Sequence, residues 1–489
     1  MTVREAAVER WGQFELSLAG PQEGNPYVEQ ELKGYFSKDG HEVLVRGFYD
    51  GGGVYRIRFM PEQEGRWTYR TESSSAQLNG HTGSFVCTPA KEGNHGPVRV
   101  KNEYQFTYAD GSSYAPFGTT CYAWIHLDEA MQQQTLATLA EAPFNKLRMC
   151  VFPKHYAFNS TDPDCYPFVK EEGGSFDLER FDPRYFAKLE QRISDLQQLG
   201  IEADLILFHP YDKGRWGFDA MEASSDDYYL RYVIARLASF RNVWWALANE
   251  YDFMEEKHMT DWDRLLQLTQ EEDPYAHLRS IHNGTKMYDH ASVVFYDHKQ
   301  PWITHLSVQH WDVTMPPIWH REFHKPIVVD ECCYEGNLPQ RWGNVTGEEM
   351  VRRFWDIIAR GSYCTHGETY ADEHDTIWWA KGGKLHGDSP ERIRFLRTIL
   401  EAAPENCMPI PEVYDVPTIG IEGEYYLQYF GIHRPAYRII ELPEGSSFKA
   451  EIIDTWEMKI TEVEGLLSGT SRLELPNKIY QAVRLTRVL

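Results

Sequence analysis

Short apolar runs alternate with longer amphipathic segments between about residue 98 and residue 405, which is typical of a parallel sheet with crossover helices. The predicted strands are 114–120, 146–152, 203–208, 243–248, 279–282, 304–309, 326–330 and 361–365. The predicted helices are 127–142, 182–199, 226–240, 260–272, 347–360 and 389–402. This alternation predicts an α/β fold, and eight strands over about 300 residues favour a (β/α)8 TIM barrel. The alternative, a doubly wound sheet, is disfavoured because no glycine-rich phosphate motif follows the first strand.

Both ends of the chain carry short alternating strand patterns separated by turn residues. Near the N-terminus these are 43–48, 55–59 and 67–70, and near the C-terminus they are 424–430, 448–454 and 482–485. The sequence therefore predicts three domains. They are an N-terminal immunoglobulin-like β-sandwich (1–95), a catalytic barrel (96–407) and a C-terminal β-sandwich (408–489).

Two of the apolar runs end abruptly in a glutamate. The run from Val243 ends in Asn249-Glu250, and the run from Ile327 ends in Asp330-Glu331. By the predicted strand count these are strands four and seven, whose carboxyl ends face the cleft of a barrel. A lone glutamate at such a position more often caps a helix or forms a surface ion pair. Two of them indicate the carboxylate pair of a glycoside hydrolase, and a separation of about 5–5.5 Å would give a retaining double displacement.

Composition narrows the class of ligand and the compartment. The formal net charge of -24 disfavours nucleic acid or anionic membranes as partners and fits a small neutral carbohydrate substrate. No run approaches a membrane helix, and the first residues lack an apolar signal core. The eight cysteines form no CxxC motif, which favours reduced thiols in the cytoplasm. No cofactor is expected, and a homo-oligomer is left open.

The chain resembles clan GH-A glycoside hydrolases, and more closely the apiosidase-like glycosidases that carry an N-terminal β-sandwich of unknown function. The resemblance covers nearly the whole chain, and the matching stretches are 11–15, 47–51, 58–61, 117–120, 145–149 and 330–336. It implies that Glu250 is the acid/base and Glu331 the nucleophile. Some apiosidase-like enzymes use aspartate as the acid, which is a departure here. Glu335 is a rival nucleophile, but Glu331 ends the strand directly, so Glu335 is expected to bind substrate or orient a partner.

The other strand ends supply candidate substrate-binding residues. The resemblance implies that Arg148 keeps the nucleophile ionised, that Asn249 contacts the sugar 2-hydroxyl and that His310 lies beside the nucleophile. For Arg148, an ion pair at the barrel bottom is the alternative, and for His209 it is a core position. One tryptophan of the pair Trp378-Trp379 is expected to pack, with Trp379 the choice for the cleft. The remaining candidates are His155, His209, Tyr211, His282, Gln309, Trp311 and His366.

Two other functions compete with a retaining glycosidase. His320 and His324 have the i,i+4 spacing of a zinc-binding helix face, and 372–375 is a second polar cluster, so a metal-dependent barrel hydrolase is one alternative. The other is a catalytically inactive carbohydrate-binding protein, against which the intact carboxylate pair argues. A cytoplasmic glycosidase would act on imported oligosaccharides, which predicts exo-action on a neutral sugar, with a pentofuranoside and a hexoside both open.

Overall fold

The computed structural model describes residues 6–284, 287–288, 295–411 and 415–488. Its centre is a closed barrel of eight parallel strands, with the first strand paired to the eighth. The barrel strands are Phe117–Thr120, Lys146–Cys150, Glu202–Phe208, Val243–Asn249, Arg279–His282, Leu306–Gln309, Ile327–Glu331 and Tyr363–His366. Each overlaps a strand predicted from the sequence, so the prediction of a (β/α)8 barrel is confirmed.

Helices follow the barrel strands and cover the barrel. They are Glu129–Glu141, Pro183–Gln198, Ala223–Leu237, Met259–Glu272, Pro316–Phe323, Gly347–Ile358, Trp378–Lys381 and Ser389–Glu401. The Asp128 carboxylate accepts a hydrogen bond from the Met131 N–H, and the Thr346 hydroxyl accepts one from the Glu349 N–H, so side chains cap these helix starts. The six predicted helices are confirmed within a few residues. Short 3-10 turns lie at Trp124–His126, Tyr251–Phe253 and Arg341–Gly343.

The N-terminal part contains two packed sheets. The five-stranded sheet contains Ala6–Glu9, Leu32–Lys38, His41–Arg46, Gly65–Ser73 and Thr82–Thr88, and the three-stranded sheet contains Phe14–Ala19, Phe48–Tyr49 and Val54–Phe59. The Phe36 ring of one sheet stacks on the Phe59 ring of the other, with 4.1 Å between centroids. Aromatic side chains therefore fill a sandwich core, as the alternating pattern predicted. The short helix Pro26–Glu29 joins two of its strands.

Charged side chains attach this sandwich to the barrel helices. Arg236 is 1% exposed, and its guanidinium contacts Asp50 of the sandwich at 2.7 Å and Glu190 of a neighbouring helix at 2.6 Å. In return, Arg58 of the sandwich donates to the Arg236 carbonyl oxygen at 3.0 Å. The contact is thus a buried ionic network as well as a packed surface.

The C-terminal part also contains two sheets. The larger contains Met408–Pro409, Thr418–Ile421, Tyr425–Tyr429, Ser447–Asp454, Lys459–Glu462 and Gln481–Val488, and the smaller contains Tyr437–Glu441 and Thr470–Glu474. The Tyr429 ring stacks on Trp355 of helix Gly347–Ile358 at 5.3 Å, which fixes this part against the barrel. The domain boundaries at 95 and 407 stay predictions.

Smaller strands complete the description. They are Val98–Val100, Phe106–Tyr108, Ser113–Tyr114, Phe168–Lys170, Phe176–Phe181, Glu335–Gly336 and Glu368–Thr369. Across the described ranges, no helix combines the length and the apolar character that crossing a membrane requires.

Candidate active site

Glu250 and Glu331 both lie at the carboxyl end of the barrel, and both are more than nine-tenths buried. Glu331 is the last residue of strand seven, and Glu250 directly follows strand four. Glu250 has a left-handed backbone (φ 50°, ψ 50°), which turns the chain from the strand into the 3-10 turn Tyr251–Phe253. Such a conformation is strained for a residue with a side chain, and strain of this kind is common at functional sites.

Gly284, beyond strand five, closes one side of the Glu250 side chain. A Cβ atom at position 284 would lie 2.5 Å from Glu250 Cγ, so only glycine fits there without displacing the glutamate. Together with the left-handed turn, this close approach restricts where the Glu250 carboxyl group can point.

Three groups surround the Glu331 carboxylate, one from the loop after strand one, one from strand two and one from strand five. Tyr122 donates its hydroxyl hydrogen to Oε1, the Nε2 atom of His282 lies 3.4 Å from Oε1, and the Nη1 atom of Arg148 lies 3.5 Å from it. Burial by itself raises the pKa of Glu331, but His282, Arg148 and Tyr122 together outweigh it and lower that pKa to about 2. Glu331 is therefore ionised at neutral pH, as a nucleophile must be.

The surroundings of Glu250 have the opposite effect. Burial, followed by the negative charge of Glu331, raises the pKa of Glu250 to about 8, although Lys154 and Gln309 oppose the shift. Asn249 Nδ2 lies 3.4 Å from Glu250 Oε2 and donates to it. Glu250 is therefore protonated at neutral pH, as a general acid must be.

Asn249 links the two halves of the site. Its Oδ1 atom accepts a hydrogen bond from Arg148 Nη2 at 3.0 Å and lies 3.3 Å from the Tyr122 hydroxyl. Its amide nitrogen is the group that donates to Glu250. The orientation of this amide is thereby fixed from both sides.

Beneath the pair, the barrel interior holds buried charges instead of an apolar filling. Lys146 Nζ lies 2.7 Å from Asp204 and 2.8 Å from Asp330, and Arg148 Nε lies 3.6 and 3.9 Å from the same two carboxylates. Burial alone would raise the pKa of Asp330, but the attraction of Lys146 and Arg148 holds it well below its usual value. Arg148 is therefore bound to the carboxylates below and to Glu331 above, which places it in the site and not at the barrel bottom.

Some of the predicted residues of strands five and six lie beside Glu250 and Glu331, and others do not. His282 Nδ1 is 3.0 Å from the Ser307 hydroxyl, and its Nε2 is 3.4 Å from Gln309 Oε1 as well as near Glu331. His310 donates its backbone N–H to the Glu331 carbonyl oxygen at 2.9 Å, while its ring packs edge-on against Trp319. Trp311 is 37% exposed, and Arg341 lies 5.1 Å from its ring centroid.

The candidates after strands two, three and eight are buried or half-buried, and for His209 this fits the alternative of a core position. His209 is buried, its Nε2 lies 3.2 Å from the Phe152 carbonyl oxygen, and burial is the main cause that lowers its pKa to about 3. His155 is half-buried and meets Trp216 edge-on. Trp378 and Trp379 are both buried: Trp379 packs against Tyr122 at 5.4 Å, and Trp378 donates to the Thr119 hydroxyl, so a cleft role for Trp379 stays a prediction.

The structure places Glu335 and His366 away from the pair. Glu335 accepts hydrogen bonds from the backbone N–H groups of Asp388 (2.7 Å) and Ser389 (3.1 Å), at the start of helix Ser389–Glu401. His366 stacks on Phe144, and its Nδ1 lies 3.2 Å from the Thr119 hydroxyl. Their substrate-binding roles stay predictions, but the described contacts give Glu335 a structural role in capping a helix.

Metal-ligating side chains come together at a different place from the one the sequence suggested. His320 contacts the Ser362 hydroxyl at 2.9 Å inside the fold, and His324 pairs with Glu103 on the surface. Among the described residues, Glu335, His366 and Glu368 are the buried group whose ligand atoms lie within 4.8 Å of one another. The two glutamates of this group already accept backbone N–H groups at both oxygens.

Sequence reasoning missed Tyr122, which lies two positions after strand one. Lys154 lies four positions after strand two, and the sequence indicates it only as a residue that could line a subsite with His155 and Tyr156. Their positions just beyond strand ends were the available signal, because those loops face the cleft of a barrel. Lys154 is 2% exposed and sits against the Tyr122 ring.

Family models match three parts of the chain. Residues 100–399 match the "Apiosidase-like, catalytic domain" model, which covers more than half of the chain. Residues 7–74 match DUF5060 and residues 414–486 match DUF5605, both domains of unknown function. None of the curated proteins searched matches the chain.

Solved structures agree with these models. A proposed glycoside hydrolase from Bacteroides vulgatus ATCC 8482 is 41% identical, with a TM-score of 0.93, over 99% of this chain and 100% of that one. A family 5 glycoside hydrolase from the same organism shares the fold at 14% identity, with a TM-score of 0.59, over 80% of this chain and 93% of that one. The chain belongs to the apiosidase-like family and is a glycoside hydrolase with a GH-A type of barrel.

Proposed function

We propose that the chain is a retaining, exo-acting glycosidase in which Glu250 is the acid/base and Glu331 the nucleophile. The observation that carries the proposal is the opposite charge state of two neighbouring carboxyl groups. The pKa of Glu250 is raised to about 8, chiefly by burial, while His282, Arg148 and Tyr122 overcome burial and lower that of Glu331 to about 2. Pairs of titratable groups whose environments separate their pKa values are the usual acid and base of an active site.

In the first step, a Glu331 carboxylate oxygen attacks the anomeric carbon as the bond from that carbon to the leaving oxygen breaks. Glu250 gives its proton to the leaving oxygen, so the departing group leaves as a neutral alcohol and Glu250 becomes an anion. The product is a glycosyl ester of Glu331. Esterification removes the negative charge of Glu331, which is one cause of the raised pKa of Glu250, so Glu250 is then better able to remain ionised.

In the second step, Glu250 takes a proton from water, and the water oxygen attacks the anomeric carbon. The ester bond breaks, its electron pair returns to Glu331, and Glu250 is protonated again. We propose that Asn249 hydrogen-bonds the sugar 2-hydroxyl; the support is that its amide lies between Arg148, Tyr122 and Glu250.

Exo-action on a neutral sugar is part of the proposal. Its support is the burial of the site: both glutamates are more than nine-tenths buried, and the Trp379 ring packs against those of Tyr156 and Trp342. A closed site of this kind suits one terminal sugar, and a pentofuranose is a candidate because of its size. A cytoplasmic location is proposed because the eight cysteines, all buried, form no disulfide among the described residues.

The test is hydrolysis of a panel of 4-nitrophenyl glycosides that includes α-L-arabinofuranoside, β-D-apiofuranoside, β-D-xyloside, β-D-glucoside and β-D-galactoside. Proton NMR of the first product anomer reports the stereochemistry, and retention is expected. Glu331→Gln should lower kcat at least about 10³-fold without changing the fold. Inversion of the anomer, or a Glu331→Gln variant that keeps most of the activity, would contradict the mechanism.

A further inference from the structure

Lys154 differs from the other lysines that are more than nine-tenths buried in the described ranges. Lys146 contacts two carboxylates at 2.7 and 2.8 Å, and Lys257 contacts Asp226 at 2.6 Å and the Met221 carbonyl oxygen at 3.2 Å. For Lys154 Nζ, by contrast, the described part of the chain offers neither an ion pair within 4.0 Å nor a hydrogen-bond acceptor. An ammonium group carries three N–H donors, and Nζ is not among the fully buried polar atoms without a partner, so its donors face accessible space at the site.

Aromatic rings surround this ammonium group. Nζ lies 3.6 Å from the ring centroid of Tyr122, 3.9 Å from that of Tyr211, 4.4 Å from that of Tyr156 and 5.5 Å from that of Trp379. Cation–π attraction stabilises the charge at such distances. It does not supply the oxygen acceptors that N–H groups require, so the rings hold the cation in place without satisfying it.

The aromatic cage, formed by the rings of Tyr122, Tyr156, Tyr211 and Trp379, lies next to the proposed catalytic pair. The Tyr122 ring that Nζ faces is the ring whose hydroxyl group donates to Glu331. Burial lowers the pKa of Lys154, while Cys150, Glu250 and Glu331 oppose that shift in their ionised forms, so the ammonium lies within the electrostatic reach of both glutamates. A sugar bound with its anomeric carbon at Glu331 would bring its ring substituents to this side of the site.

We propose that Lys154 is a specificity-determining residue that donates hydrogen bonds to an oxygen substituent of the glycone, the sugar whose anomeric carbon Glu331 attacks. The inference rests on the proposed function, because it assumes that a glycone occupies this site. The acceptor chemistry is an oxygen lone pair, which a hydroxyl supplies on the neutral glycone of the proposed function; a carboxylate as its source would instead make the glycone a uronic acid. The aromatic cage orients the ammonium so that a sugar without an oxygen at this position leaves the donors unsatisfied.

The test compares Lys154→Met and Lys154→Gln with a control, Lys213→Met. Lys213 is an exposed lysine two residues beyond Tyr211, so it controls for the loss of one positive charge. On the best 4-nitrophenyl glycoside of the panel, both Lys154 variants should lower kcat/KM about 100-fold, and Lys213→Met should stay within twofold. Thermal unfolding of each full-length variant shows that the fold is retained.

Substrate analogues identify the acceptor. If the acceptor is a hydroxyl, removing that hydroxyl should lower the kcat/KM of the wild-type enzyme about 100-fold on one monodeoxy analogue. On the same analogue, Lys154→Met should lower kcat/KM no more than threefold further. If it is a carboxylate, the wild-type enzyme should prefer 4-nitrophenyl β-D-glucuronide to the β-D-glucoside, and Lys154→Met should reverse that order. The inference would be overturned if folded Lys154 variants kept kcat/KM within threefold of wild type, or if their kcat/KM fell equally on every analogue.

A binding measurement separates this inference from the proposed function. Calorimetric titration of Glu250→Gln, with and without Lys154→Met, measures the affinity for the same 4-nitrophenyl glycosides without turnover. Binding that weakens at least tenfold without Lys154, in an enzyme that hydrolyses none of the glycosides, would support the inference and refute the proposed function. Binding that is unchanged without Lys154, in an enzyme that does hydrolyse the glycosides, would support the proposed function and refute the inference. If no glycoside binds, the result counts against both.

Discussion

The Tyr122 hydroxyl group donates a hydrogen bond to Glu331 Oε1 and lies 3.3 Å from Asn249 Oδ1. The hydroxyl proton of Tyr122 therefore points to Glu331, the proposed nucleophile, and the hydroxyl oxygen lies beside Asn249, which contacts Glu250, the proposed acid. A hydrogen bond to the charged form of an acid stabilises that form. The tyrosine thus favours ionised Glu331 and fixes one of its two oxygens.

Tyr122→Phe should lower kcat about 10–100-fold and move the acidic limb of the kcat/KM profile to higher pH. The sign follows because the carboxylate loses a donor, so the pKa of Glu331 rises toward its ordinary value. Tyr156→Phe is a matched control in the same aromatic cluster and should leave that limb in place. An unchanged acidic limb in Tyr122→Phe would show that the hydroxyl does not act on Glu331.

The wild-type profile of kcat/KM against pH should fall on its alkaline side as Glu250 loses its proton. Because burial and Glu331 raise the pKa of Glu250 to about 8, this limb belongs near pH 8 and not near the ordinary value for glutamate. The measurement is initial rate from pH 4 to pH 10 on one glycoside. In Glu250→Gln the alkaline limb should disappear, and its persistence would assign the titration to another group.

Leaving-group dependence should identify the acid. Glu250→Gln should lower kcat/KM about 10²–10⁴-fold on a substrate with a poor leaving group, because proton donation is then essential. On a 2,4-dinitrophenyl glycoside, whose leaving group needs no proton, the loss of kcat/KM should be below about tenfold. A loss that is equal on both substrates would mean that Glu250 acts other than as the acid.

Glu250→Gln should also stabilise the fold at neutral to alkaline pH. The pKa of Glu250 is raised in the folded state, so its contribution to stability is fully present at low pH, where Glu250 is protonated in both the folded and the unfolded protein. That stability is lost as pH rises from the unfolded value toward about 8. We expect Glu250→Gln to unfold with a free energy about 1–3 kcal/mol greater than wild type at pH 8, and with little difference at pH 4. Chemical denaturation at the two pH values measures this, and equal effects at both would refute it.

Arg148→Met should destabilise the protein as well as impair catalysis. The substitution leaves Asp204, Asp330 and Glu331 with one cation fewer in a buried site, which costs about 3–5 kcal/mol for a broken buried pair. Arg215→Met is the control, because Arg215 pairs with Asp162 on the surface and should change the unfolding free energy little. Urea denaturation measures both, and an equally small effect of the two would argue against the buried network.

The fold and the positions of Glu250 and Glu331 at two strand ends could be predicted from the sequence, because both depend on local signals. An apolar run that ends in Glu250 or Glu331 marks a strand and its carboxyl end, wherever that strand lies in the barrel. The contacts between site residues depend on long-range register and could not be predicted. Lys146, for example, contacts Asp330 only because the closed barrel brings residues 184 positions apart together.

Glu335 shows the limit of reasoning from spacing alone. It lies four residues beyond Glu331, which suggests the site, yet its carboxylate contacts the start of a helix 54 positions later, at Ser389. Nothing in the residues next to Glu335 indicates that helix. The direction in which a loop side chain points is set by what packs against it, and that information is not local.

The ionic contact between the N-terminal sandwich and the barrel has a consequence for how this enzyme can be shortened or recombined. A barrel produced without residues 1–95 would expose Glu190 and leave the Arg236 guanidinium without Asp50, one of its two carboxylate partners. The sandwich is thus a part of the outer wall of the catalytic domain. Chimaeras that exchange the barrel should carry its own sandwich with it.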